Sequence, residues 1–311
     1  MEKKIAVIVG GASGMGFEIA RALGEYGVVF IGDLGESRVQ NAVDNLTELG
    51  ICAYGKTCDV TDISSLCSFA KAATEIGHIG CAINTAGVAF TDADAETIMK
   101  VNALGMVNFD NAFLDMVPEG VVVNFASMSG WMYNPTNEDL DIWNEPYDAE
   151  FVAKCISRVD NAFVAYCFSK RFVIYHTMAN ATRFAKNSTR IISISPGSID
   201  TPMSRQESAE PIGLESIVSE IKQGHLGNTH EMTRLNSMSE QTMKQQNIGG
   251  VNSTTEGIPL GRNGHSDEIA QTIINLMDHN LSYLTGTDIS VDGGRLASLL
   301  TKQIMNGGGK Q

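Results

Sequence analysis

Ile5-Ala6-Val7-Ile8-Val9 runs directly into Gly10-Gly11-Ala12-Ser13-Gly14-Met15-Gly16 and then into Phe17-Glu18-Ile19-Ala20. The apolar run reads as a buried strand, the glycines as a tight turn and the residues after them as the opening of a helix. Glycines at 10, 14 and 16 let the backbone approach a ligand closely, and the N–H groups of a helix start attract a pyrophosphate. A glycine-rich string alone is often only a turn; here it stands where a strand hands over to a helix, which nucleotide binding requires.

The second predicted strand, Val28 to Gly32, leads to Asp33-Leu34. A carboxylate about twenty residues past the glycines accepts hydrogen bonds from an adenosine ribose and repels a 2′-phosphate. No Arg or Lys lies in the glycine turn or immediately after Asp33, so the pattern favours NAD over NADP. Taken by itself, Asp33 serves equally well as a turn residue opening the next helix.

The alternation continues outward. Strands are expected at Ile51 to Thr57, Cys81 to Asn84, Val121 to Phe125, Arg190 to Ile194 and Thr287 to Val291. Helices are expected around 15–26, 36–49, 62–76, 95–116, 160–185 and 266–278, with Asp62 and Ser266 as capping residues. Repeated strand–helix units predict a doubly wound α/β domain whose parallel sheet has about seven strands. Residues 131–160, rich in aromatic and acidic side chains, and 204–257, polar and without strand pattern, read as insertions over an active site within one domain spanning 1–311. The order of the strands in the sheet is not legible.

Of 311 residues, 43% are hydrophobic and 19% charged, enough apolar material for a sizeable core. A net charge of -14 and the lack of a basic run exclude a phosphate-backbone partner. The six cysteines form no C-x-x-C pair and lie near no His at ligand spacing, so no metal site is expected. The opening apolar run is too short for a signal segment or a membrane span; a cytoplasmic protein with reduced thiols is expected.

Tyr166-Cys167-Phe168-Ser169-Lys170 sets a phenol and an ammonium four residues apart, on one face of a helix. A tyrosine near pKa 10 must be acidified to move protons near neutrality, and a neighbouring cation favours its phenolate. The spacing alone is common in proteins; its company makes it informative.

In that company the chain resembles the short-chain dehydrogenase/reductase family, in its single-domain group, over most of its length. The glycine turn has the family's spacing, with Val9 where Thr is usual. Cys58-Asp59-Val60 resembles the adenine-contacting Asp-Val, and Asn84-Thr85-Ala86-Gly87 the Asn-Asn-Ala-Gly segment with one substitution. Val101-Asn102-Ala103-Leu104-Gly105 matches the segment of the active-site Asn, and Asn124-Phe125-Ala126-Ser127-Met128-Ser129-Gly130 the strand end with the serine, in a register that selects Ser127. Pro196-Gly197-Ser198-Ile199-Asp200-Thr201 resembles the nicotinamide-side loop. Gly261-Arg262, Asp267-Glu268-Ile269-Ala270, Tyr283-Leu284-Thr285-Gly286 and Val291-Asp292-Gly293-Gly294 complete the order.

The resemblance implies a Rossmann-type fold, an NAD(H)-dependent interconversion of a secondary alcohol and a ketone, and a homo-oligomer, tetramer or dimer. It implies Tyr166 as general acid/base, Lys170 lowering its pKa and bonding the nicotinamide ribose, Ser127 orienting the substrate oxygen and Asn102 supporting a water relay to Lys170. For the cofactor it implies Gly10, Ser13, Gly14, Met15 and Gly16 in the turn, Asp33 and Leu34 after the second strand, and Asp59 and Val60 after the third. Asn84, Ala86 and Gly87 follow the fourth; Pro196, Gly197, Ile199 and Thr201, with Tyr166 and Lys170, complete the set. Ser127 and Tyr166 are 39 positions apart, far more than the family's usual gap. In this widening the chain is similar to some bacterial 3α-hydroxysteroid dehydrogenases. Trp131, Tyr133 and Trp143 inside the gap could line a pocket for a bulky alcohol such as a steroid or bile acid, or could equally pack the insertion onto the body. A smaller alcohol, polyol or sugar is the alternative substrate. His176, ten positions from Tyr166, and Cys167 are read as packing residues. A non-catalytic NAD sensor on the same fold would be expected to lose the active-site Tyr or Lys. Nucleotide-sugar epimerases, which also use Tyr and Lys, differ in the glycine spacing and the C-terminal segment.

Overall fold

The computed structural model describes residues 4–201, 255 and 257–307. Apolar runs with no polar alternation demand burial on both faces, and the central strands obey this: every residue of β1 (Ile5–Val9), β4 (Ile79–Asn84) and β5 (Val121–Phe125) is buried. With β2 (Val28–Asp33), β3 (Cys52–Thr57), β6 (Arg190–Pro196) and β7 (Thr287–Val291) they form one parallel seven-stranded sheet among the described residues, in the order β3-β2-β1-β4-β5-β6-β7. The seven expected strands are present, with ends displaced by up to two residues. The order reverses between β1 and β4, and such a switch point opens a crevice at the carboxyl ends of the strands.

Helices cover both faces: α1 (Gly14–Gly24), α2 (Glu36–Glu48), α3 (Ile63–Ile76), α4 (Ala95–Ile98), α5 (Gly105–Phe113), α6 (Asn137–Trp143), α7 (Phe151–Ile156), α8 (Ala162–Ala179), α9 (Ala181–Ala185), α10 (Ser266–Leu276) and α11 (Arg295–Gly307). The helix expected over 95–116 is interrupted by a π-helical turn, Met99–Leu104. Asn102 lies in that turn, and its side chain is bonded to both backbone groups of Val88, which favours the wider turn. The stretch 160–185 breaks at Asn180 into α8 and α9. Asp62 caps α3 by accepting from the Ser64 N–H, as expected. At α10 the cap is His265, not Ser266, because the Glu268 side chain reaches back to the His265 N–H. Among the described residues no helix is long and apolar enough to cross a membrane.

The insertion 131–160 does not cover the active-site end of the sheet. Tyr133, Trp143 and Phe151 are 2%, 1% and 1% exposed. Tyr133 and Trp143 pack on Phe168, with ring centroids 5.1 and 5.2 Å apart, and Phe151 lies 5.2 Å from Phe172. Phe168 and Phe172 follow Tyr166 by two and six positions, which at 3.6 residues per turn puts them on the far side of α8. These three rings therefore support the helix from behind and border neither described cavity. The second insertion, 204–257, lies outside the described residues apart from 255 and 257.

His176 and Cys167 are core residues, as their positions suggested. His176 Nε2 stands 3.6 Å from the fully buried Asp110 carboxyl, which accepts from Asn124 Nδ2 at 3.0 and 3.2 Å. Burial pushes the Asp110 carboxyl up to about 7, against the Asn124 bond and the nearby Arg183. Burial, helped by Arg183, pushes His176 down to about 3. A carboxyl whose pKa rises on folding favours the folded state when protonated, and that advantage disappears as pH climbs through the folded value. Asp110→Asn, which keeps an acceptor for Asn124 and removes the charge, is expected to be more stable than wild type in urea unfolding at pH 8 and equal to it near pH 4. A variant less stable at pH 8 would refute the buried, strained carboxyl.

Candidate active site

At the end of β1, Gly10 takes φ +81° and Gly14 φ +55°, backbone angles that other residues rarely adopt. A Cβ at Gly16 would sit 2.2 Å from the Gly10 carbonyl oxygen and 2.5 Å from Thr85 Oγ1. Glycine at 16 thus seats the start of α1 directly against the ends of β1 and β4. Beside this contact runs a cleft of about 450 Å³. It is lined by Gly10, Ser13, Gly14, Met15 and Gly16, by Asp33 and Leu34, by Asp59 and Val60, and by Ala86, Gly87 and Thr201, all expected from the sequence. Asn84 is not in the lining: it is buried in β4, and its Oδ1 accepts from the Ala86 N–H at 3.2 Å, shaping the loop from within.

The Asp33 carboxylate accepts from the Ala12 and Leu34 N–H groups at 3.3 and 2.9 Å. The structure adds a cation that was not expected. Arg38, third residue of α2, reaches back over the turn, with Nη2 3.3 and 3.4 Å from the two Asp33 oxygens and 3.3 Å from Ser13 Oγ. Arg38 stands five positions after Asp33, beyond the residues that immediately follow it, and the start of α2 at Glu36 turns it back toward the carboxylate. Glycines without Cβ atoms, a helix start facing the cleft and a carboxylate at the end of β2 fit a dinucleotide: the turn would hold the pyrophosphate and Asp33 the adenosine ribose.

A smaller cavity of about 130 Å³ adjoins this cleft and shares Met15 and Thr201 with it. Ser127, Tyr166, Pro196, Gly197 and Ile199 border it, together with Phe90, which sequence reading missed. The Phe90 ring packs edge-on against Tyr166 at 5.7 Å. Ser127 heads a 3₁₀ turn, Met128–Met132, and its Oγ accepts from the Ser129 N–H at 3.2 Å. Lys170 is buried; its Nζ donates to the Phe125 carbonyl at 2.9 Å and lies 5.8 Å from the centre of the Tyr166 ring. Asn102 Oδ1 accepts from the Val88 N–H at 2.9 Å and its Nδ2 donates to the Val88 carbonyl at 3.0 Å. A Cβ at Gly87 would come within 3.3 Å of Asn102 Oδ1 and 3.5 Å of Lys170 Nζ, so both groups flank one loop. Residues from three separate segments of the chain are thereby brought close together: Ser127 and Tyr166 at the small cavity, with Lys170 and Asn102 behind the Gly87 loop of the cleft.

Gly16→Ala is expected to weaken NADH binding at least about tenfold, followed by fluorescence titration, while the far-ultraviolet circular dichroism is unchanged. Unaltered affinity would show that the close contact at Gly16 does not shape the cleft.

The family model for short chain dehydrogenases matches residues 4–138, and that described as enoyl-(acyl carrier protein) reductase matches 233–295. A short-chain dehydrogenase/reductase of Alternaria brassicicola is 27% identical over 304 residues, covering 96% of this chain and 98% of that protein. The 2,5-dichloro-2,5-cyclohexadiene-1,4-diol dehydrogenase of Sphingobium indicum is 26% identical over 303 residues, covering 94% and 95%. The crystal structure of levodione reductase has the same fold, with a TM-score of 0.67 at 21% identity, covering 94% of this chain and 98% of that one. The two models follow one another along a chain whose relatives match it nearly end to end, and the protein belongs to the short-chain dehydrogenase/reductase family.

Proposed function

We propose that the protein is an NAD(H)-dependent oxidoreductase interconverting a secondary alcohol and a ketone, with Tyr166 moving the proton. The observation that carries this reading is that Tyr166 and Ser127 border one small cavity opening onto the cleft of the glycine turn. A bound nicotinamide would supply the hydride acceptor or donor, and the protein's part is orientation and a matched proton source. In oxidation the Tyr166 phenolate takes the alcohol proton; in reduction the phenol returns it to the carbonyl oxygen. The Lys170 ammonium, held by the Phe125 carbonyl beside the ring, favours the phenolate. Ser127 Oγ already accepts from the Ser129 N–H, which directs its own hydrogen to the substrate oxygen. Asn102 holds the Val88 segment beside Lys170, the position from which a water relay to the ammonium would be supported. A non-catalytic sensor is disfavoured because Asn102, Ser127, Tyr166 and Lys170 are all present.

NAD is the cofactor this reading favours, because the Asp33 carboxylate is buried at the ribose end of the cleft. Arg38 partly offsets its charge, yet spends its own on Asp33 and Ser13. For the substrate, a compact cyclic or polyhydroxylic alcohol fits better than a steroid. The steroid reading rested on the widened gap between Ser127 and Tyr166 and on aromatics within it as pocket lining, and two of these, Tyr133 and Trp143, are buried behind α8 instead. The relative from Sphingobium indicum acts on a cyclic diol, in line with this choice.

The test is NADH formation over cyclic alcohols, polyols and hydroxysteroids, each with NAD and NADP. Turnover of small cyclic alcohols or polyols, with kcat/KM about a hundredfold higher for NAD, is expected from like-charge repulsion at Asp33. Efficient turnover of steroids alone, or a preference for NADP, would overturn the substrate or the cofactor assignment respectively. Tyr166→Phe should lower kcat at least about a hundredfold and leave NADH affinity nearly unchanged. Wild-type turnover in that variant would remove Tyr166 from the chemistry.

A further inference from the structure

Asp288 lies in β7, in neither of the motifs on either side of it, and yet its carboxylate accepts three hydrogen bonds from two segments that lead to the substrate cavity. Its Oδ2 accepts from Trp131 Nε1 at 3.0 Å, and its Oδ1 accepts from Ser193 Oγ at 2.7 Å and Ser195 Oγ at 2.9 Å. Trp131 belongs to the 3₁₀ turn that Ser127 heads, four residues on. Ser193 and Ser195 flank Ile194, whose carbonyl accepts from the Ala126 N–H at 2.8 Å, immediately before Ser127. Ser195 directly precedes Pro196 and Gly197, which border the cavity on its other side.

The same turn is held from the helix. The Arg171 guanidinium lies 4.4 Å from the centre of the Trp131 ring, and Arg171 follows Lys170 in α8. A Cβ at Gly130 would stand 2.7 Å from the Lys170 carbonyl carbon and 2.8 Å from the Arg171 nitrogen, so turn and helix touch backbone to backbone. The indole is thus fixed on its face by a cation and at its N–H by a carboxylate, an arrangement that leaves the turn little freedom. We propose that Asp288, acting through Trp131, is a positioning residue that holds the Ser127 turn in register with Tyr166 across the substrate cavity. The proposal rests on the oxidoreductase reading for its consequence in catalysis, and on geometry alone for the restraint itself.

Trp131→Phe keeps a ring beneath Arg171 and removes only the N–H to Asp288. Asp288→Ala removes the acceptor, and Asp288→Asn keeps one oxygen for Trp131 and offers its amide to the two serines. Hydrogen exchange of the NAD-loaded protein reads the restraint without any turnover. Amides of 126–132 are expected to exchange about tenfold faster in Trp131→Phe and Asp288→Ala, with Asp288→Asn near wild type and β1 and β4 unaffected. Unchanged exchange over 126–132 would overturn the proposal. In turnover, Trp131→Phe should lower kcat about tenfold with an unchanged KM for NAD, and should cost nothing further in a Ser127→Ala background. The same loss in both backgrounds would mean that Trp131 does not act through Ser127, and the proposal would fall. Full activity of Ser127→Ala itself would instead refute the role of Ser127 in the chemistry, while the exchange measurement still decides whether the restraint exists.

Discussion

The Gly10 carbonyl and the Thr85 hydroxyl leave room at position 16 for a hydrogen and nothing larger, and the architecture of the cleft follows from that closeness. With α1 seated so tightly, its first N–H groups face the crevice where the strand order reverses between β1 and β4. The loops after β2, β3 and β4 then form the remaining walls, bringing Asp33, Asp59 and Gly87 to one cleft. A parallel sheet buried on both faces holds this geometry because its central strands have no solvent side to which they could slip.

Two buried carboxyl groups show how burial is met in this interior. Asp139, in the insertion, is fully buried and would be raised by burial alone, but bonds from Thr136, Arg158 and Tyr133 hold it below the ordinary carboxylate range. Those bonds tie α6 to the start of the insertion and carry Tyr133 and Trp143 onto α8. The long gap between Ser127 and Tyr166 is thus occupied by a buttress for the helix that bears Tyr166 and Lys170. At Asp110 the same requirement is met less completely: Asn124 donates to the carboxyl, while the buried His176 Nε2 has no hydrogen-bond partner. The energetic cost of burial there is met by neutralisation instead.

Family membership settles the fold and the class of reaction, while the features that distinguish this chain lie around them. Arg38 reaches Asp33 in the cleft from α2, and Phe90 packs against Tyr166 at the small cavity. Each is contributed by a segment outside the motif it modifies. Specificity in such a site depends on differences of a few kcal/mol between alternative ligands, and single side chains at the walls are enough to set them.

The strands, the glycine turn and the pairing of Tyr166 with Lys170 were legible because each depends on local rules. Apolar runs mark buried strands, glycine marks torsions and close approaches closed to other residues, and a spacing of four marks one helix face. Twelve of the expected cleft residues line the cleft for the same reason, since each lies at the end of a strand or in the segment that follows it. What stayed hidden depends on contacts between residues remote in sequence: the strand order, Asp288 on Trp131, and the side of α8 to which the insertion turns its aromatics; Arg38 on Asp33, only five positions on, depended on where α2 begins. Composition alone left Tyr133 and Trp143 equally suited to a pocket or to a core, because both environments reward the same apolar rings. The packing of the insertion against Phe168 and Phe172 decided between them, and only the folded chain creates that surface.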